Sequence, residues 1–208
     1  MKKIFALLVL VDLVFSALVP RVSATVPHLP IPPDSHSSPS LAQKIFVPGV
    51  PNAGKVSDQL FRGAQPRLSQ LSELKKLGVT TIIDLRSGSS GARNEERARA
   101  EALGMRFVSI PVGGFSTPSS AQLAQFFSLV RQSPRETIFI HCRFGDDRTG
   151  VFIAAYRIAF DHWTPDQALS EMNAFGFNHA WHSGMMRFVR DFPSRLATDP
   201  LLKSFAFN

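Results

Sequence analysis

The amino-acid sequence predicts an α/β protein: a central, mostly parallel sheet of four to five strands flanked by helices. Two observations carry this expectation. Short apolar or β-branched runs of strand length alternate with longer runs whose apolar residues recur every three to four positions. Glycines punctuate the ends of several helical runs, where a left-handed residue closes a helix without a side-chain clash. Such a sheet carries its functional groups at the carboxyl ends of its strands, and the single cysteine, Cys142, stands at one such end.

The elements follow in order. "KIFVPGV" (44–50) and "QLFRGA" (59–64) read as short strands, the second running into Pro66. "RLSQLSELKKLG" places Leu68, Leu71, Leu74 and Leu77 at helical spacing and stops at Gly78. "VTTIIDLR" (79–86) is β-branched and strand-like. "GARNEERARAEALG" is a helix that stops at Gly104, and "MRFVSIP" (105–111) is a strand. "SSAQLAQFFSLVRQ" (119–132) is a helix opened by serine caps. "ETIFIHC" (136–142) is a strand, and "DRTGVFIAAYRIAF" (147–160) an apolar helix. "TPDQALSEMNAFG" (164–176) and roughly 179–191 complete the chain as two further helices.

Length and composition suit one domain with tails: 208 residues, 44% hydrophobic and 19% charged. Residues 1–24 read as an export signal, with Lys2 and Lys3, an apolar stretch broken by Asp12, and small residues Val22 and Ala24 at a cleavage site. The alternative is an uncleaved anchor, which the shortness of the stretch and Asp12 disfavour. Residues 25–43, rich in Pro and Ser, are expected to form a linker, and 44–208 the globular domain. The protein is expected to be secreted or periplasmic, with no stable membrane insertion once the signal is removed. Of the net charge of +7, the signal segment accounts for +2 and leaves +5. That balance favours acidic small substrates. Nucleic acid is excluded as a partner, because the basic residues are scattered and never run beyond two. One cysteine rules out an internal disulfide and any multi-cysteine metal site.

The chemistry concentrates in "HCRFGDDRTG" (141–150). A buried strand delivers Cys142, a loop from Arg143 to Asp147 follows, and Arg148 opens an apolar helix. Amides of the loop and first helical turn lack intrahelical partners and converge on an anion, with the helix dipole adding positive potential. That field stabilises a thiolate and binds a phosphoryl group in line with the sulfur. Arg148 grips two phosphate oxygens through its planar fork. Thr149 can donate its hydroxyl proton to the sulfur, and His141 can orient the loop. Gly150 allows close packing of the helix on the strand. Arg143, Phe144, Gly145 and Asp146 form the substrate-binding loop. The competing reading is a buried structural cysteine.

The pattern resembles the active-site signature of the cysteine-dependent protein tyrosine and dual-specificity phosphatases. "VPGVPNAGKVSDQLFRGAQP", "LKKLGVTTIIDLR" and "RFVSIPV" extend the resemblance to the compact atypical branch found in plants, fungi and bacteria, over roughly residues 45–190. The resemblance implies a phosphatase loop at the strand end, Cys142 as the nucleophile of a phosphocysteine intermediate, Arg148 as transition-state binder, and no cofactor or metal. It implies phosphorylated protein, inositol phosphate or phospholipid as substrate.

Members of the family usually place an aspartate in the loop after the strand matching "FVSIP". Here "PVGGFSTPSS" (111–120) holds neither Asp nor Glu. Asp147 matches the position of an aspartate in the myotubularin-like signature and is the first candidate for proton donor. Its alternative role, with Asp146, is passive helix N-terminal charge. Asp84 is the second candidate, with an ion pair to Arg86 as its alternative. A third possibility is that good leaving groups need no strong acid. The two acidic residues of the loop argue mildly against highly polyanionic substrates. His179 and His182, three apart on an expected helix, read as surface or core residues rather than metal ligands. Arg62 could flank the pocket, with a structural ion pair as the plainer reading. Two functional alternatives remain: a phosphate-binding module without turnover, and a sulfurtransferase.

Overall fold

The computed structural model describes residues 40–88, 90–132 and 136–206. The signal segment and residues 25–39 of the linker lie outside the described residues. The domain begins slightly earlier than expected. Ala42 is buried, and its N–H donates to Glu171 Oε2 at 2.7 Å.

Six strands form one sheet: β1 (Gln43–Lys44), β2 (Gly54–Lys55), β3 (Leu60–Gly63), β4 (Thr81–Arg86), β5 (Arg106–Val112) and β6 (Ile138–His141). Their order is β1-β2-β3-β6-β4-β5. The four inner and far-edge strands β3, β6, β4 and β5 run parallel, as the alternating pattern predicts. The two-residue strands β1 and β2 add an antiparallel edge. "KIFVPGV" is therefore not the continuous strand its apolar residues suggest. Pro48 has no N–H for a ladder, and Gly49 takes φ +72°, so the segment closes as a turn with Val50 N–H on Val47 O.

The helices are α1 (Leu71–Lys76), α2 (Ser90–Ala102), α3 (Ser120–Gln132), α4 (Asp147–Phe160), α5 (Pro165–Ala174) and α6 (Ser183–Thr198). Reciprocal bonds between Ser119 and Gln122, and between Thr164 and Gln167, start α3 and α5. Gly78 and Gly104 follow α1 and α2 with positive φ. α6 is displaced from its expected 179–191. Residues 178–182 form a turn, and the buried stripe Met185, Phe188, Val189, Phe192 and Leu196 carries the helix on past Pro193. His179 and His182 are thus in a turn and at a helix cap, not on one helical face.

Helices cover both faces. One core holds Phe126 and Phe127 of α3, Phe152 of α4 and Phe192 of α6 against β4 and β6. The other packs Leu71 and Leu74 of α1 and Ala100 of α2 against Ile82, Phe107 and Phe139. Burying each such aromatic ring stabilises by about 1.5–3 kcal/mol. A typical hydrogen bond adds only about 0.5–1.5 net, so side-chain burial dominates. Gly150 sits where a Cβ would press on Met172 at 3.2 Å. Its small size lets α4 approach α5, a helix rather than the strand expected. Register aligns Gly63, His141, Asp84 and Ser109 across the carboxyl ends of β3, β6, β4 and β5, and the chain leaves β6 there into Cys142.

Candidate active site

β6 is buried along its whole length, and Cys142 beyond it is 1% exposed. The loop then turns on Gly145 at φ +76°. A side chain there would meet Gly63 and Ala64 backbone atoms at 2.4–2.6 Å, so only glycine fits. The Gly145 N–H donates to Cys142 Sγ at 3.2 Å. Asp146 caps α4 by accepting from Asp147 N–H at 2.7 Å.

Three consecutive carbonyls of this loop are held from outside. Arg143 O accepts from Gln65 N–H at 3.3 Å, Phe144 O from Asn52 Nδ2 at 3.4 Å, and Gly145 O from Arg62 Nη2 at 2.9 Å. In a trans peptide the N–H points opposite to the C=O. The Gly145 N–H, in the same peptide as the Phe144 carbonyl, therefore faces away from Asn52 and reaches the sulfur.

A cavity of about 390 Å³ adjoins the loop, walled by Gln65, Arg86, Ser87, Ala92, Arg93, Gly114, Arg143 and Arg148. Cys142 is not part of its wall, though its neighbours in the signature are. Arg148 also donates to Val112 O at 3.3 Å, which ties the start of α4 to the end of β5. Arg143 lies 5.3 Å over the ring of Phe144, itself 62% exposed. Thr149 is buried, and its hydroxyl has no hydrogen-bond partner among the described residues, including the sulfur. Among the described residues, four guanidinium groups and no carboxylate line the cavity. Asp146 caps α4, and Asp147 is held by the turn before α6.

His141 is fully buried, with Nδ1 3.0 Å from Cys142 O and Nε2 2.9 Å from Glu96 Oε1. The second contact is close in charge but poorly angled for a hydrogen bond, since neither atom finds a well-oriented partner. Asp84 beside it is bound by Arg86 through two bonds, 2.8 and 2.9 Å, with Arg93 Nε at 3.4 Å. Burial pushes the Asp84 carboxyl up, but the Arg86 bonds and the charge of His141 outweigh it, and the group ends below its ordinary range. A carboxyl so held is poorly suited to giving up a proton, and the ion pair with Arg86 expected as its alternative is present.

Asp147 lies in the opposite situation. Asn178 N–H donates to Oδ1 at 3.2 Å, and His182 Nε2 lies 3.0 Å from Oδ2. Burial, then the charge of Asp146, push its carboxyl above the ordinary range against the pull of Asn178, His182 and Arg148. Phe115, from the loop that lacks an acid, stacks on His182 at 5.1 Å. Glu96 and Arg93 carry no signal in the sequence that marks them as site residues, while His182 reads there as a surface or core residue, Arg86 as the ion-pair partner of Asp84 and Arg62 as a structural ion pair. A charged residue within the fully buried strand "LFRG" was the one available signal for Arg62.

In sequence and in fold the chain is similar to known proteins. The family model described as "DSP-PTPase phosphatase fused to NAD+ Kinase" matches residues 51–188. Dual specificity protein phosphatase TpbA of Pseudomonas aeruginosa (strain UCBPP-PA14) is 30% identical over 140 residues. That match spans 67% of this chain and 61% of the relative, less than two thirds of its length. The crystal structure of P. aeruginosa TpbA matches with a TM-score of 0.64 at 25% identity, covering 81% of this chain and 98% of the other. A second TpbA structure, in complex with phosphotyrosine, gives 0.63 at 26%, with 79% and 99% covered. The catalytic domain of the PP-IP phosphatase SIW14 from S. cerevisiae shares the fold, with a TM-score of 0.60 at 21% identity over 76% of this chain and 98% of the other.

Proposed function

The chain belongs to the dual-specificity and protein-tyrosine phosphatase family, whose members are phosphoric monoester hydrolases, and on that premise we propose that it is an exported phosphatase working through a phosphocysteine. One observation carries the reading: Cys142 and Arg148 bound a loop whose three carbonyls are held by Gln65, Asn52 and Arg62 and whose Gly145 N–H faces the sulfur, beside a cavity walled by arginines. Such a cradle fits a phosphoryl group and a thiolate at once.

The Cys142 thiolate attacks phosphorus, and an S–P bond forms as the ester P–O bond breaks. The departing oxygen takes the proton of Asp147, whose raised affinity for a proton supports that role. Arg148 and the loop amides hold the equatorial oxygens, which carry the developing charge. Water then attacks the phosphocysteine, returns a proton to Asp147, and releases inorganic phosphate and the thiolate. Thr149, buried with an unused hydroxyl, is suited to donate to the departing sulfur in this second step.

Substrates are phosphomonoesters. The complex of TpbA with phosphotyrosine supports an aryl phosphate. The four arginines of the cavity support substrates with a second anionic group, inositol or lipid phosphates among them. Export rests on the pattern of residues 1–24. Steady release of phosphate from p-nitrophenyl phosphate, lost in Cys142→Ser, is the expected result. Phosphate binding without turnover by the wild type would instead establish a binding module.

A further inference from the structure

We propose that Arg62 is a positioning residue of the phosphate loop: it fixes the Gly145–Asp146 peptide with its N–H toward the bound anion and keeps a buried positive charge beside the Cys142 loop. The proposal rests on Cys142 being the nucleophile.

Arg62 occupies β3, where every residue is buried and a hydrophobe would fit the pattern. Its residue is 0% exposed, and its guanidinium stacks 3.9 Å from the centre of the Phe175 ring. Room for that ring comes from Gly54, where a Cβ would meet Phe175 at 2.5 Å. Of the Arg62 donors, Nη2 reaches Gly145 O, while Nε and Nη1 have no partner among the described residues. The carboxylate nearest in charge is Glu171 of α5. Its Oε2 accepts from Arg157 Nη2 at 2.9 Å and Ala42 N–H at 2.7 Å, and its Oε1 from Arg157 Nε at 3.4 Å. A buried cation with idle donors costs stability that an apolar side chain of similar volume would not. Stability is therefore a poor reason for an arginine here.

The geometry gives a better one. Gly145 O is the last of the three outward-held carbonyls, and its peptide partner is the N–H of Asp146. Among the three outward donors, Arg62 alone is charged. Gripping that carbonyl turns the Asp146 amide into the cradle and holds Gly145 against Gly63, where the backbones nearly touch. The charge acts on Cys142 and Asp146 from the loop and on Glu171 from α5, and is opposed by Arg157 from α4. Burial pushes the guanidinium down to about 10, so it remains charged throughout the neutral range. A persistent cation in a medium of low dielectric attracts negative charge that forms in the loop, on the sulfur or on a bound anion.

Alkylation of Cys142 by iodoacetamide reads the thiolate without requiring turnover, with Cys142→Ser as the blank. Inhibition by inorganic phosphate reads the cradle. In Arg62→Gln the alkylation profile moves to higher pH, slowing modification about tenfold at acidic pH for each unit moved, and phosphate inhibition weakens. Arg62→Lys keeps the charge but loses the fork. Its alkylation stays near that of wild type, while phosphate inhibition weakens several-fold. A folded Arg62→Gln with the wild-type alkylation profile overturns the electrostatic half. Unchanged phosphate inhibition in either variant overturns the positioning half, and Arg62→Lys decides it if Arg62→Gln fails to fold. A wild type that shows the alkylation contrast but no turnover would sink the phosphatase reading and leave Arg62 its role.

Discussion

Two pairs of carboxylates flank the phosphate loop, and their surroundings push Asp84 of one pair and Asp147 of the other in opposite directions. Asp84 and Glu96 are sealed from solvent, but Arg86, Arg93 and His141 crowd them. Asp146 and Asp147 are less buried and lean on a helix N-terminus, one histidine and each other. The more deeply buried Asp84 is the stronger acid, and the less buried Asp147 the weaker one. Burial disfavours charge at both sites, and what differs is the number of guanidinium donors that reach the oxygens. Burial by itself therefore does not identify a proton donor.

The largest test of this contrast is chemical. Asp147→Asn is expected to slow hydrolysis of an alkyl phosphate by about 10²–10⁴-fold, and that of p-nitrophenyl phosphate, with its good leaving group, far less. Asp84→Asn leaves the ratio of the two rates as in wild type. Equal losses on both substrates in Asp147→Asn would remove it as the donor.

Next comes stability. Asp84→Ala leaves Arg86 with Glu96 as its remaining carboxylate and takes from Arg93 the carboxylate it shares with Arg86, and should cost toward the low end of about 3–5 kcal/mol in urea unfolding. The dependence on pH then separates the two aspartates by sign. Asp84 has a folded pKa below its ordinary 3.8. Its contribution is present above the unfolded pKa and fades as pH falls through the folded one, so the gap between wild type and Asp84→Asn closes in acid. Asp147 has a folded pKa above 3.8. Its penalty appears as pH rises through that value, so Asp147→Asn gains stability relative to wild type on going from acid toward neutral pH. Thermal melts across that window would reveal both trends, and trends of the same sign would break the comparison. The smallest effect is at the rim. Phe115→Ala removes one exposed ring, 74% accessible, from its stack on His182 and should cost no more than about 1 kcal/mol.

The signature residues were legible because they are contiguous. Strand, cysteine, glycine turn, arginine and helix follow one another within a few residues, and local geometry brings them together. The parallel core was legible for a similar reason, since "TTIIDLR", "RFVSIP" and "TIFIH" are apolar runs between amphipathic ones. The errors arose where one residue type outvotes its neighbours. Pro48 and Gly49 turn an apolar run into a bend, and the apolar stripe through Phe192 and Leu196 extends α6 beyond its expected end.

The sequence by itself determined that a lone thiol ends a buried strand and an arginine opens the helix after a glycine turn, because covalent connection and secondary structure suffice to place them. Only the tertiary structure decided which distant groups act on that loop. Arg62 arrives from β3, Glu96 from α2 and His182 from the start of α6. The state of each carboxylate depends on the charges within a few ångströms, and those neighbours are set by how strands and helices pack, not by distance along the chain.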